Sequence, residues 1–174
     1  MCEIKTDKLM NRIRNGEKEA FREFYDMYNK KILMLAYNIT RNFHDAENIV
    51  SIVLEKIWYG NFGHVEKLNG FIYKTTKFSA LDYLRRNKKN RKELNYTKEL
   101  ERESVSIIDK DMMVTIILGK LKEKYRDVVI RHILFKDTFV EIADVMRVSR
   151  FAVQRRYRRA IKTLKQRFGK YDII

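Results

Sequence analysis

Residues 138–160, TFVEIADVMRVSRFAVQRRYRRA, have the apolar spacing of two short helices that cross. Thr138 followed by Glu141 has the pattern of a capping box, the reciprocal pair of hydrogen bonds that begins a helix. The apolar residues that follow share one side of this first helix: Ile142, Ala143 and Met146. The stretch therefore predicts a helix that begins after Thr138 and packs through one face.

A second helix follows a break at Arg147, Val148 and Ser149. The Ser149 hydroxyl is suited to accept from the first backbone N–H groups of that helix. Arg147 stands at the turn position commonly given to glycine, where a left-handed backbone would cost about 1 kcal/mol. The predicted inner face consists of Val153, Tyr157, Ala160, Ile161 and Leu164. Two helices joined in this way form a helix-turn-helix, whose second helix is rigid enough to enter a DNA major groove.

The outward face of this second helix is strongly basic. Residues 147–170 contain ten Lys and Arg and no acid. A solvated face is the alternative, but such faces usually mix both signs of charge. A membrane-surface helix is less favoured, because the apolar face is needed by the crossing helix. Exposed Arg and Gln can address base edges and phosphates, so we expect duplex DNA to be contacted by Arg150, Phe151, Gln154, Arg155, Arg158, Arg159 and Lys162.

The composition of the whole chain agrees with a polyanionic partner. Its 174 residues carry a formal net charge of +15, which favours DNA, RNA or anionic lipid. The sequence has no run of eighteen apolar residues and no signal-peptide core, so we expect no membrane span and a cytoplasmic location. The single cysteine, Cys2, and the well-separated His44, His64 and His132 predict no disulfide, metal site or cofactor.

The fold class follows from the absence of proline, the presence of only six glycines and the helical spacing of apolar residues. We predict an all-α fold of two small helical domains joined by a linker. The predicted domains are residues 1–92 and 112–174. The predicted linker, residues 93–111, holds six acids and three bases, beside a segment with six bases and no acid.

Within the first domain, residues 6–15 predict a short helix ended by Gly16. Residues 44–58 predict a helix with acids at its start, as the helix dipole prefers. Residues 59–70 contain three glycines and predict a loop, after which a helical pattern runs from 71 to about 92. The helix that follows Gly16 is expected to bury a stripe formed by Phe21, Phe24, Tyr25, Tyr28, Ile32, Leu35 and Ala36.

Two segments of this chain resemble bacterial sigma factors. DAENIVSIVLEKIW (45–58) followed by LNGFIYKTTKFSALDYLRR (68–86) resembles their polymerase-binding and promoter-melting regions. LKEKYRDVVIRHILFKDTFVEIADVMRVSRFAVQRRYRRAIKTL (121–164) resembles their C-terminal DNA-binding region. With only these two domains, the chain looks like the small extracytoplasmic-function (ECF) group, and the resemblance covers about residues 17–168.

The resemblance implies a sigma factor without catalytic activity, which binds core RNA polymerase and directs initiation at promoter DNA. Docking on the clamp helices of the largest polymerase subunit would then involve Asp45, Glu47, Asn48, Ser51, Ile52 and Glu55. Capture of the melted minus-ten strand needs rings and cations, and the candidates are Phe62, Tyr73, Lys74, Lys77, Phe78, Tyr83, Arg85 and Arg86. The second helix of the helix-turn-helix would hold the minus-thirty-five duplex. Control by an anti-sigma factor is a further expectation.

The chain departs from the family pattern at several positions. Phe78 stands where the promoter-melting helix usually has Asn, and Ser51 and Ile52 stand where the docking helix usually has Gln and an acid. Lys122 replaces a usual proline, and Phe151 a common glycine. We therefore hypothesise relaxed or unusual promoter specificity, with placement aided by another DNA-bound factor.

Two other functions remain open at this point. The chain could be a helix-turn-helix regulator that never engages polymerase, which would need only the second domain. It could also be a nuclease that uses His44, Asp45 and Glu47. Three neighbouring residues on one turn of an apolar helix make a poor metal cup, so the nuclease is the least favoured.

Overall fold

The protein is described by a computed structural model that covers residues 3–60, 63, 65, 67–91 and 117–168. The elements found there are helices and no strands, which confirms the all-α prediction. They are α1 (Glu3–Arg14), α2 (Lys18–Thr40), α3 (Phe43–Tyr59), α4 (Leu68–Arg91), α5 (Glu123–Ile133), α6 (Phe139–Met146) and α7 (Arg150–Phe168). Among the described helices, none combines the length and the hydropathy that a membrane span requires.

The chain divides into two compact units, residues 1–104 and 105–174. This division falls within the predicted linker, residues 93–111, which lies outside the described residues. The proposed domain limits at residues 92 and 112 therefore stay predictions.

In the first unit, α2 packs against α3 and α4 through the predicted stripe. Phe24, Tyr28 and Ile32 are buried, as are Leu35 and Ala36. The stripe prediction is wrong for Tyr25, which is 42% exposed. On the helical wheel Tyr25 lies between the buried Ile32 and Ala36, so helical spacing does not account for its exposure. Phe21 is half-buried, with its ring centroid 4.9 Å from that of Trp58 on α3.

The connection from α1 to α2 uses one glycine and one ion cluster. Gly16 has a φ of +78°, a left-handed conformation that favours glycine. Arg12 donates to Glu17 across the turn, with an Nε–Oε2 distance of 2.8 Å, and also pairs with Glu23. The hydrogen bond from Arg12 lowers the pKa of the Glu17 carboxyl. Ion pairs from Arg12 on α1 to Glu17 and Glu23, which follow Gly16, therefore hold the turn.

α3 begins where the sequence pattern predicts it. Asn42 is its N-cap and accepts from the Asp45 backbone N–H at 2.9 Å. The loop prediction for residues 59–70 is too long at its C-terminal end, because α4 already begins at Leu68. Leu68 is 2% exposed, so burial of this side chain adds a turn to the helix before the predicted start at Phe71.

In the second unit, α5, α6 and α7 enclose a small core. Val128, Ile142, Ala143 and Val153 form its centre. Partly buried apolar residues pack around it: Phe139, Met146, Val148 and Tyr157. Because a small unit buries a lower share of its surface than a large domain, its stability is limited.

A buried ion pair supports the start of α6. Arg131 on α5 donates through Nε to Oδ2 of Asp137 at 2.7 Å, and these side chains are only 1% and 2% exposed. Asp137 directly precedes the N-cap of α6, so the pair fixes the turn between α5 and α6. No pattern in the sequence indicated this contact.

Candidate nucleic-acid and protein interfaces

The helix-turn-helix has the capping contacts predicted from its sequence. The Glu141 backbone N–H donates to Thr138 Oγ1 at 3.3 Å, and the Thr138 N–H donates to Glu141 Oε2 at 2.7 Å. Ser149 Oγ accepts from the Ala152 N–H at 3.2 Å, which confirms the second cap. Both helices of the motif therefore begin at fixed residues.

The turn between these helices is left-handed. Arg147 has φ 52° and ψ 48°. The residue at the position commonly given to glycine therefore adopts the left-handed conformation. Val148, next to it, donates its backbone N–H to the Ala143 carbonyl at 3.0 Å and packs on the core. The turn is thus held by a backbone hydrogen bond and an inward apolar side chain, while Arg147 adopts a strained backbone conformation.

Packing fixes the rotation of α7 about its axis. Val153 and Ala160 are fully buried, and Leu164 is almost so. Tyr157 is half-buried, with its ring centroid 5.0 Å from that of His132 and 5.3 Å from that of Phe139. His132 therefore contributes to packing between α5, α6 and α7.

The opposite face of α7 carries the predicted duplex-binding side chains. Gln154 is half-buried, and the others are exposed: Arg150, Phe151, Arg155, Arg158, Arg159 and Lys162. Arg159 also hydrogen-bonds the hydroxyl of Tyr125 on α5, which is the main cause of a lowered Tyr125 pKa. The structure thus groups these residues on one surface and ties Arg159 to a neighbouring helix.

α4 presents only part of the predicted strand-binding set. Phe78 is 69% exposed, Lys74 is exposed and Lys77 is half-buried. The basic end of the set is also exposed, with Arg85 and Arg86 each paired to Asp82, at 2.7 Å and 2.9 Å.

Two predicted members of the strand-binding set do not belong to this exposed group. The prediction for Tyr73 is wrong, because its ring is 4% exposed and packs in the core, where no base can stack on it. Phe62 lies outside the described residues.

Tyr83, a predicted member of the strand-binding set, makes hydrogen bonds to α3. Its hydroxyl accepts from Asn48 Nδ2 at 3.1 Å and donates to Asp45 Oδ1 at 3.2 Å. Tyr83, Asn48 and Asp45 are all half-buried. The polar atoms of these three residues join α4 to α3, and their predicted contacts with polymerase and DNA stay predictions. No spacing pattern indicates this contact, and its only sign in the sequence is the polar tip of an aromatic residue.

The exposed face of α3 is a short acidic line. Glu47, Ser51 and Glu55 are exposed and lie four residues apart, whereas Ile52 beside them is half-buried. Ser51 Oγ hydrogen-bonds the Glu47 carbonyl at 3.3 Å, so its side chain lies along the helix. Within the described ranges, no group of three or more His, Cys, Asp or Glu could hold a metal ion. The three residues considered for a nuclease, His44, Asp45 and Glu47, therefore form no such group.

Comparisons with known proteins agree with this arrangement. The family models for sigma-70 region 2 and for sigma-70 region 4 match residues 24–90 and 117–166. The ECF RNA polymerase sigma factor SigW of Bacillus subtilis (strain 168) is 23% identical over 181 residues, covering 94% of this chain and 97% of SigW. The solved structure of CnrH in complex with the cytosolic domain of CnrY shares the fold, with a TM-score of 0.66 and 17% identity. That match covers 94% of this chain and 97% of the CnrH structure's chain.

The two regional matches together span more than half of the chain, and they occur in the order region 2, then region 4. The chain belongs to the sigma-70 family, as an RNA polymerase sigma factor of ECF type. Its partners are core RNA polymerase and promoter DNA, and its function is transcription initiation. Sigma factors regulate transcription and are not enzymes. A helix-turn-helix regulator without polymerase is not favoured, because the region 2 match lies outside the helix-turn-helix.

Proposed function

We propose that the acidic line on α3, formed by Glu47, Ser51 and Glu55, docks on the clamp helices of the largest polymerase subunit. The exposure of all three residues supports this proposal. The half-buried Ile52 adds an apolar edge beside them, and interfaces commonly surround an apolar centre with a polar rim. Asp45 and Asn48 contribute indirectly, because they hold α3 against Tyr83.

The exposed side of α4 is proposed to hold the melted minus-ten strand. Phe78 offers a ring for stacking, and Lys74 and Arg85 lie on the same side of the helix, four residues before it and seven after it. Stacking tolerates every base, whereas an amide selects one by hydrogen bonds. A phenyl ring in place of an amide therefore supports relaxed minus-ten specificity. Placement aided by another DNA-bound factor would then compensate for the lost selectivity.

α7 is proposed to enter the major groove of the minus-thirty-five duplex. Its buried side is fixed by α5 and α6, and its outward side carries cations without an acid. Arg155→Ala is expected to change sequence preference, since this residue faces away from the core. Arg159→Ala is expected mainly to weaken binding and reduce its salt dependence. Equal effects of both substitutions on a panel of duplexes would contradict this division of roles.

Regulation in trans by an anti-sigma factor is also proposed, together with a cytoplasmic location. The support comes from CnrH, which has the same fold and was solved with the cytosolic domain of CnrY. A protein that binds core polymerase acts where transcription takes place.

The observation that carries the proposed function is the presence of two separate exposed surfaces, acidic on α3 and basic on α7. The test is co-elution of the purified chain with bacterial core RNA polymerase on a sizing column at moderate salt. Ser51→Arg places a cation in the acidic line without disturbing the core and is expected to abolish the complex. Asp26→Arg, on the exposed side of α2, is the matched control and should retain it.

Ile52→Arg provides a second interface variant, although its half-buried side chain requires a check of folding by circular dichroism. Duplex DNA binding should be unchanged in all three variants. Co-elution that persists in Ser51→Arg would refute docking through α3. Tight duplex binding by a chain that never binds polymerase would refute the docking proposal as a whole.

A further inference from the structure

Phe151, at the start of α7, is unusually exposed for a large apolar residue. It exposes 79% of its surface, against 49% for Val140, the other large apolar residue exposed in the described part of the second unit. Single exposed apolar residues are common on proteins and need no explanation in general. Phe151, however, lies in the first turn of the helix proposed to enter the major groove, where side chains meet base edges.

The geometry of α7 places this ring at the end of a basic line. Phe151, Arg155, Arg158 and Lys162 follow at steps of four, three and four residues, and all four are exposed. Such steps give a straight row along a helix. The buried Val153 lies on the opposite side, because two residues advance a helix by about 200°. The row is therefore the part of α7 farthest from the core.

The chemistry of a phenyl ring restricts what it can recognise in a duplex. The cations of the row suit phosphates and guanine, but Phe151 has no hydrogen-bonding atom in its side chain. Among the base edges in the major groove, the C5-methyl group of thymine is the apolar feature that distinguishes one base pair from another.

We propose that Phe151 contacts a thymine C5-methyl group in the duplex promoter element and makes that position selective for thymine. This inference rests on the proposed binding of duplex DNA by α7. It assigns the apolar part of sequence recognition to the N-terminal turn of α7, and the phosphate and guanine contacts to the cations that follow.

The test uses the full chain bound to core RNA polymerase and a promoter selected from a randomised library. Each thymine of the upstream duplex element is replaced in turn by uracil, which removes only the methyl group. The wild-type protein is expected to lose about fourfold in affinity at one thymine, because the burial of one methyl-sized group is lost. Phe151→Ala should bind the thymine and uracil duplexes equally, and Phe151→Leu should restore part of the difference.

Arg158→Ala is the matched control from the same row. It should weaken binding to both duplexes and leave the thymine-to-uracil ratio unchanged. A flat uracil scan with the wild-type protein would overturn the inference, as would a selected element without thymine. An unchanged ratio in Phe151→Ala would also overturn it and assign the ring to another contact, such as a protein. If the wild-type complex selects no duplex element at all, the proposed duplex binding fails as well.

Discussion

Replacing Asp137 by alanine tests how the ion pair before α6 supports the DNA-binding unit. Asp137→Ala removes the carboxylate from a guanidinium that is 1% exposed. Breaking a buried pair by removing one partner costs about 3–5 kcal/mol, because the remaining charge stays desolvated. Folded domains have about 0.05–0.15 kcal/mol of stability per residue. A unit of this size therefore has only a few kcal/mol in total, so we expect Asp137→Ala to unfold it largely.

The assay is amide hydrogen exchange of the full chain, followed by mass spectrometry of its peptides. Peptides from α5 and α6 should lose most of their protection in Asp137→Ala. Peptides from α2 and α3 belong to the other compact unit and serve as the internal reference. Their protection should not change.

A double variant separates the loss of a charge partner from the loss of packing. Arg131→Met combined with Asp137→Leu replaces both ions by apolar groups, a change that is often neutral or stabilising. This protein should keep its protection in α5 and α6. Equal loss in the single and double variants would refute the reasoning, as would full protection in Asp137→Ala.

Three further predictions follow from particular contacts. Arg147→Gly should raise the stability of the second unit by about 0.5–1 kcal/mol in urea unfolding, because glycine adopts the left-handed turn without strain; a loss of stability would contradict this. Tyr83→Phe removes both hydrogen bonds to α3, and we expect about 1–2 kcal/mol lower stability of the first unit and weaker polymerase binding, measured by thermal unfolding and co-elution. Tyr125 should ionise at lower pH than an ordinary tyrosine in ultraviolet titration, since Arg159 stabilises the phenolate. Because the pKa of Tyr125 is lowered, the contact stabilises the fold fully only above the ordinary tyrosine pKa, and this stabilisation is lost as the pH falls through the lower folded value. Arg159→Ala should return Tyr125 to the ordinary range, and an unchanged titration would exclude the contact.

Local sequence rules predicted the helix-turn-helix in detail. The Thr138 cap, the Ser149 cap and the left-handed Arg147 all depend on residues within a few positions of one another. Contacts of this kind are encoded in short spacing patterns, so one sequence is enough to read them.

Long-range polar contacts could not be predicted in this way. Tyr83 binds Asn48 and Asp45 across 35 and 38 residues, and no spacing rule links such positions. The same limit applies to Tyr73, because helical spacing alone does not tell whether its ring lies in the core or in solvent. Helical periodicity identifies an apolar face, but it does not tell an aromatic residue at the edge of that face from one inside it.

The most direct test of the central claim is in vitro transcription with the purified chain and bacterial core RNA polymerase on DNA fragments from its host. We expect transcripts that begin at discrete positions, that require the chain and that disappear with Ser51→Arg but persist with Asp26→Arg. Transcription that does not depend on the chain, or starts that are unchanged with Ser51→Arg, would contradict an initiation factor that acts through α3.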